Sequence, residues 1–226
     1  MTPFRAAPAD DPSHAVLAPR AGGEFSDWLD ALAGPDPDRR RLAATSPGAL
    51  VDGLGEDGAE LPDAAVSALL RQVAVETDPA VRQAICTQLA RHDQLEVVDG
   101  LVEHLAGHDA GLRTAVVDVL SRTTTSTLRR MPQLLTHPEP DVRILVVAVM
   151  AAMPPNEVTG SLLQLVRDDP HPNVVAAALA ELAQRPGAAH LADLRAARER
   201  FPQDPFVAFT VSRVTPAPTP QGGRSS

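Results

Sequence analysis

His104 and His108 stand four residues apart, a spacing that lets two imidazoles on one helix face share a metal ion, with Asp109 beside them. Gly107 lies between them, where a helix is expected to end, and Asp109 is better placed as the cap of the next helix. His108, His137 and His171 recur in successive turns, but stacked helices lie roughly 8–10 Å apart, too far for three such side chains to meet at one ion. "GLGEDG", Gly53–Gly58, spells G-x-G-x-x-G, the turn that brings backbone N–H groups to a pyrophosphate. The preceding "GALV" is too short a strand, and Glu56 and Asp57 would repel phosphate, so a flexible loop is expected. Cys86, between Ile85 and Leu89 in a helical pattern, reads as a small buried apolar residue rather than a nucleophile. No Ser or Cys sits in a nucleophile motif such as G-x-S-x-G. Arg39–Arg41, and Arg195, Arg198 and Arg200, form basic clusters that read as solvated helix faces. No residue is therefore assigned a catalytic, cofactor-binding or metal-binding role, and no cofactor is expected.

The composition narrows the class further. The chain has 226 residues, 44% of them hydrophobic, with 3% aromatics and no Tyr. Ala, Val and Leu must do the packing, which suits close helix–helix contact better than a sandwich of sheets. All 20 basic residues are Arg, which excludes a lysine Schiff base or a Walker lysine. A formal net charge of -9 argues against nucleic acid and against an anionic membrane surface as partner. One cysteine leaves no disulfide within the chain. "MTPFRAAPADDPSHAVLAPR" contains no apolar core of a signal peptide, and the run Ile144–Met153 is far short of the roughly 20 residues that span a bilayer. A cytoplasmic location is the expectation.

Behind these side chains lies a repeat. Five segments open alike: "DPAVRQAICTQLAR" at Asp78, "DAGLRTAVVDVLSR" at Asp109, "EPDVRILVVAVMAA" at Glu139, "HPNVVAAALAELAQ" at His171 and "DPFVAFTVSRV" at Asp204, spaced by 31, 30, 32 and 33 residues. Asp78, Asp109 and Asp204 are good N-caps, and Pro79, Pro140, Pro172 and Pro205 follow at the first helical position, where the missing N–H costs nothing. Val81, Leu112, Val142, Val174 and Val207 form an apolar column, followed at once by Arg82, Arg113 and Arg143. Second amphipathic segments lie at about 63–75, 94–106, 125–136, 156–167 and 187–200. Each unit is thus a helix A, a turn and a helix B; one pair cannot bury its apolar faces, but a stack can. Residues 1–22 and 215–226 are expected to be disordered, 23–60 to form a helical cap in which Trp28, Leu29 and Leu32 cover the first unit, and 61–214 to hold five repeats.

The pattern D-P-x-V-R-x-x-A at about 30 residues resembles the HEAT repeats, in the short form first noted in phycobilisome lyases. The resemblance covers about residues 61–214 and implies an all-α fold, a right-handed α-solenoid of stacked antiparallel helix pairs. It also implies an inter-repeat ladder of turn acid and helix-B arginine: Asp78, Arg82, Asp109, Arg113, Glu139 and Arg143, lapsing at Val175 and Ala208. Pro132 would be the proline that the family often carries inside helix A. The iron-binding His-Glu dipeptides of the HEAT-like deoxyhypusine hydroxylases have no counterpart in this sequence.

The function expected is a non-catalytic scaffold or adaptor that binds another protein through the curved face of the B helices. Two columns, one and five residues beyond the arginine, should point away from the core. They are polar at Gln83, Thr87, Thr114 and Asp118, then small or apolar at Ile144, Ala148, Ala176, Ala180 and Phe209, and end at Arg213. Thr114, Asp118, Ile144, Ala148, Ala176, Phe209 and Arg213 are the expected partner-binding residues. The alternative is a lyase-like or enzyme-accessory protein handling a cofactor or a modified polypeptide, which would need a deep pocket with convergent polar groups. Self-association through the apolar stretch is a further expectation.

Overall fold

The structure is a computed structural model in which residues 21–46, 61–185 and 191–214 are described. These residues form twelve α-helices and no strand: α1 Ala21–Leu32, α2 Pro37–Thr45, α3 Asp63–Val75, α4 Pro79–Leu89, α5 Leu95–Val102, α6 Ala110–Arg122, α7 Thr124–Leu135, α8 Pro140–Ala151, α9 Pro155–Asp168, α10 Pro172–Ala183, α11 Leu191–Arg200 and α12 Pro205–Val214. The longest helix has 14 residues, a length at which an isolated helix is marginal in water, so packing must hold them. Two layers supply it. The even-numbered helices stack on one another from α2 to α12, and α3, α5, α7, α9 and α11 form the second layer. The fold is an α-solenoid of antiparallel helix pairs.

The repeated sequence features explain the elements one by one. The apolar column is buried in every unit: Val81 is 1% exposed, Leu112 7%, Val142 1%, Val174 0% and Val207 0%. Asp78 Oδ1 accepts from the N–H groups of Ala80 and Val81, Asp109 from Leu112, and Asp204 from Val207. At α10 a histidine takes this part, its Nδ1 accepting from the Asn173 N–H at 3.3 Å. Glu139 makes no such bond; its own N–H donates to His137 Nδ1 instead. The turn histidines His137 and His171 thus act on backbone. Asp93, ahead of α5, reaches the N-terminus of α7 in the next unit, accepting from the N–H groups of Thr125 and Ser126 at 2.8 and 2.7 Å.

Three local features bear on the expectations. α5 tightens into a 3-10 turn, Glu103–Ala106, before Gly107, which caps it in an extended conformation. Pro132 lies within α7. Helix α1 begins at Ala21, so Ala21 and Gly22 belong to its first turn. "GLGEDG" and residues 1–20 and 215–226 lie outside the described residues.

The N-terminal part follows the plan of the repeats. Trp28 and Leu32 are buried, and Leu29 packs half-buried against the core. The Trp28 Nε1–H donates to the Ala43 carbonyl at 2.9 Å, and Phe25 stacks on its ring at 5.5 Å. α1 packs on α2, and α2 packs on α4 as every later B helix packs on the next. Asp36, Pro37 and Arg40 repeat the spacing of Asp78, Pro79 and Arg82. This region is a sixth helix pair. Its apolar column is broken by Arg39, which is exposed, so Ala43 and Ala44 supply the buried contact instead.

Candidate interaction surface

The outer face of the B helices changes character along the array. Thr114 is exposed, with its hydroxyl donating to the Ala110 carbonyl at 3.0 Å, and Asp118 pairs with Arg122 at 3.1 Å. Their polar groups are thus engaged within α6. On α8 the face is apolar: Ala148 is exposed, while Ile144 is half-buried and packs against the core. Ala176 departs from the expectation of an outward-pointing residue. It is 8% exposed, because α12 stacks against α10 and covers it. Phe209 is 60% exposed, and the Arg213 guanidinium lies 5.8 Å from the centroid of its ring.

These last residues converge on a groove between α10 and α12. Its volume is about 470 Å³, and it is lined by Asn173, Ala176, Ala177, Phe206, Phe209 and Thr210. Alanines make the floor and the two rings one wall. Phe206 is 65% exposed, more than Phe209, yet it falls outside the two columns expected to face a partner. The signal for it was present: Phe206 precedes Phe209 by three residues, which places both on one helix face. Ile144 and Ala148 lie one B helix further along the same layer.

The arginine ladder keeps one expected rung, Arg82 with Asp109, and takes its other acids from a different position, Glu76 and Asp169. Arg82 does meet Asp109, at 2.8 Å, and also donates to the Glu76 carbonyl at the end of α3. Arg143 meets Asp169, with Nε to Oδ2 at 2.6 Å and Nη2 to Oδ1 at 2.9 Å, and donates to the carbonyls of His137 and Pro138. Arg40 grips Glu76 in the same forked way, at 2.8 and 2.9 Å. Glu76 and Asp169 each stand two residues before the cap, at Asp78 and His171. There the carboxylate also accepts the N–H of the cap residue, which holds the turn. Arg113 and Glu139 form no salt bridge. The residue two before that cap is His137, which already accepts the Glu139 N–H, and no carboxylate stands there. Asp78 likewise serves as a cap, not as a partner of an arginine.

One buried carboxylate, one buried guanidinium and one thiol illustrate the local electrostatics. Burial alone would raise the Glu76 carboxyl, but the hydrogen bonds from Arg40, the Asp78 N–H and Gln72 outweigh it and hold it down at about 2. Arg143, held by its hydrogen bonds to Asp169, is raised above the ordinary arginine value. Cys86 is 1% exposed, and burial pushes its thiol up to about 11, against a smaller opposing pull from Arg82. Such a group is not a thiolate at neutral pH. Among the described residues, no group of three or more His, Cys, Asp or Glu is placed to hold a metal ion, and no helix is long and apolar enough to cross a membrane.

No curated protein matches the chain. Solved structures to which the chain is similar include two engineered proteins from the Northeast Structural Genomics Consortium. One is 16% identical, with 84% of this chain and 94% of that chain covered at a TM-score of 0.35. The other is 18% identical, with 84% and 96% covered at a TM-score of 0.37. A third engineered protein from the same consortium is 15% identical, with 84% of this chain and 57% of that chain covered at a TM-score of 0.32. The family model described as HEAT repeats matches residues 128–205, from α7 to the first residue of α12, and over that stretch the chain is similar to HEAT repeats.

Proposed function

We propose that the chain is a non-catalytic scaffold that binds another protein through the B-helix face of α8, α10 and α12. The observation that carries this reading is the pair Phe206 and Phe209, 65% and 60% exposed beside an alanine-floored groove. Large apolar side chains gathered on one face mark interaction sites, and aromatic anchors dominate binding energy. Burying each ring contributes about 2 kcal/mol. Small residues at Ala148 and Ala180 let a partner approach the helix backbones closely, and Arg213 can hold a polar rim. The net charge of -9 favours a protein over nucleic acid as partner, and a cytoplasmic setting suits a chain whose one cysteine is free and buried. The repeat period of about 30 residues fits the phycobilisome-lyase-like subtype of HEAT repeat.

Phe209→Asp tests the reading directly. The immobilised wild-type chain should capture a host protein that the variant loses, with the melting temperature unchanged because the ring lies outside the core. Ser67→Asp, on the exposed side of α3, should capture normally. Ile144→Asp should lose capture and also some stability, since Ile144 leans on the core. Undiminished capture by Phe209→Asp would count against this face.

A further inference from the structure

We propose that the groove between α10 and α12 is a site for a proline-rich extended peptide, and that residues 215–226 of this chain are its resident occupant. The proposal rests on the reading of this face as a docking surface and names what docks there. Phe206 and Phe209, three residues apart on α12, offer two ring faces along one wall, and Ala176 and Ala177 leave the floor without bulk. Asn173 and Thr210 bring an amide and a hydroxyl to the same groove. Aromatic walls with a side-chain donor suit a polyproline II segment, whose rings pack on aromatics while its carbonyls need donors. A segment stiffened by proline loses little freedom on binding.

Such a segment begins where α12 ends. Residues 215–226 read "TPAPTPQGGRSS", with Pro216, Pro218 and Pro220 alternating with small residues. From Val214 back to Phe206 the helix spans roughly 12 Å at about 1.5 Å per residue. A polyproline II chain advances about 3.1 Å per residue, so four or five residues cover that distance after the chain reverses. Tethering at this range raises the local concentration of the segment into the millimolar range, enough to fill a weak site.

The test uses the full-length chain and a fluorescein-labelled peptide of sequence TPAPTPQGGRSS, read by anisotropy. In the variant with Pro216→Gly, Pro218→Gly and Pro220→Gly the groove is freed, so the labelled peptide should bind about tenfold more tightly than to the wild type. Adding Phe209→Ala to that variant should abolish binding. Equal binding to wild type and proline variant would overturn the resident segment while leaving the face a peptide site. Absence of peptide binding to both would overturn the proposal. Sedimentation of the proline variant then separates the remaining occupants: a dimer dissolved by Phe209→Ala assigns the groove to a second copy and overturns the peptide site.

Discussion

Glu76 is 3% exposed and accepts five hydrogen bonds: two from Arg40, one from Gln72 and one each from the N–H groups of Thr77 and Asp78. It ties α2 to the turn between α3 and α4, so its charge state reaches across a repeat boundary. Its carboxyl lies at about 2 in the fold against 4.5 without these contacts. A carboxyl depressed this far stabilises the fold above its unfolded value, on the order of 3 kcal/mol at neutral pH. The unfolded chain takes up its proton first as pH falls, so this stabilisation fades from about 4.5 down to about 2. Glu76→Gln should cost stability at pH 7, and the gap to the wild type should close over that acid range. Urea melts at a series of pH values measure it; a gap constant from pH 7 to pH 2 would show that the Glu76 charge does not contribute.

At the scale of the helix, glycine tests whether local propensity or packing decides. Gly160 lies in the exposed middle of α9, and a Cβ added there meets no atom within 4 Å. Gly160→Ala should stabilise the fold by about 0.5–1 kcal/mol, a rise of a few degrees in melting temperature. Gly100 on α5 is the contrast: a Cβ there would lie 2.5 Å from Leu70 Cδ1, so α3 and α5 approach over the glycine. Gly100→Ala must displace Leu70 and should gain less or lose, a difference that thermal melts of the two variants resolve. Helices and their caps were legible in the sequence because Pro, Asp and the apolar column recur at fixed offsets. The pair α1–α2 reads from the sequence only as a cap, because Arg39 occupies the column that holds valine or leucine elsewhere and Asp36 stands 42 positions before Asp78. The acid rungs Glu76 and Asp169 escaped because their position holds Gly107 and His137 in the intervening units, so no column marks it. The groove was half legible: Phe209 was placed, but Phe206 and the burial of Ala176 depend on how closely α12 settles on α10.

Across the whole molecule, arginine joins each described pair to the next. Arg40 reaches Glu76, Arg82 reaches Asp109, Arg130 reaches Asp99, Arg143 reaches Asp169, and Arg167 reaches Asp193. Arg185 and Arg200 add bonds to carbonyls at the ends of α8 and α9 in the preceding units. A planar fork can grip a carboxylate through two parallel N–H bonds and still reach nearby carbonyls, a geometry the three donors of an ammonium do not match, so a chain with 20 Arg and no Lys has a structural use for that bias. Each pair still touches only its neighbours, so stability is a sum over pairs and junctions. The same chemical insult should therefore have different reach at different places. Val142 and Val207 occupy the same column and are 1% and 0% exposed, and an aspartate at either buries an unpaired charge, costing several kcal/mol. Val142→Asp breaks α7–α8 and leaves three pairs before it and two after it. About three repeats are the minimum for an independent core, so α9–α12 should lose amide protection outright and α1–α6 should weaken. Val207→Asp removes only α11–α12 and leaves five pairs intact. Hydrogen exchange read by mass spectrometry should show α1–α10 protected in Val207→Asp and α9–α12 unprotected in Val142→Asp. Loss of protection at α3 and α4 in Val207→Asp would mean that the array unfolds as one cooperative unit.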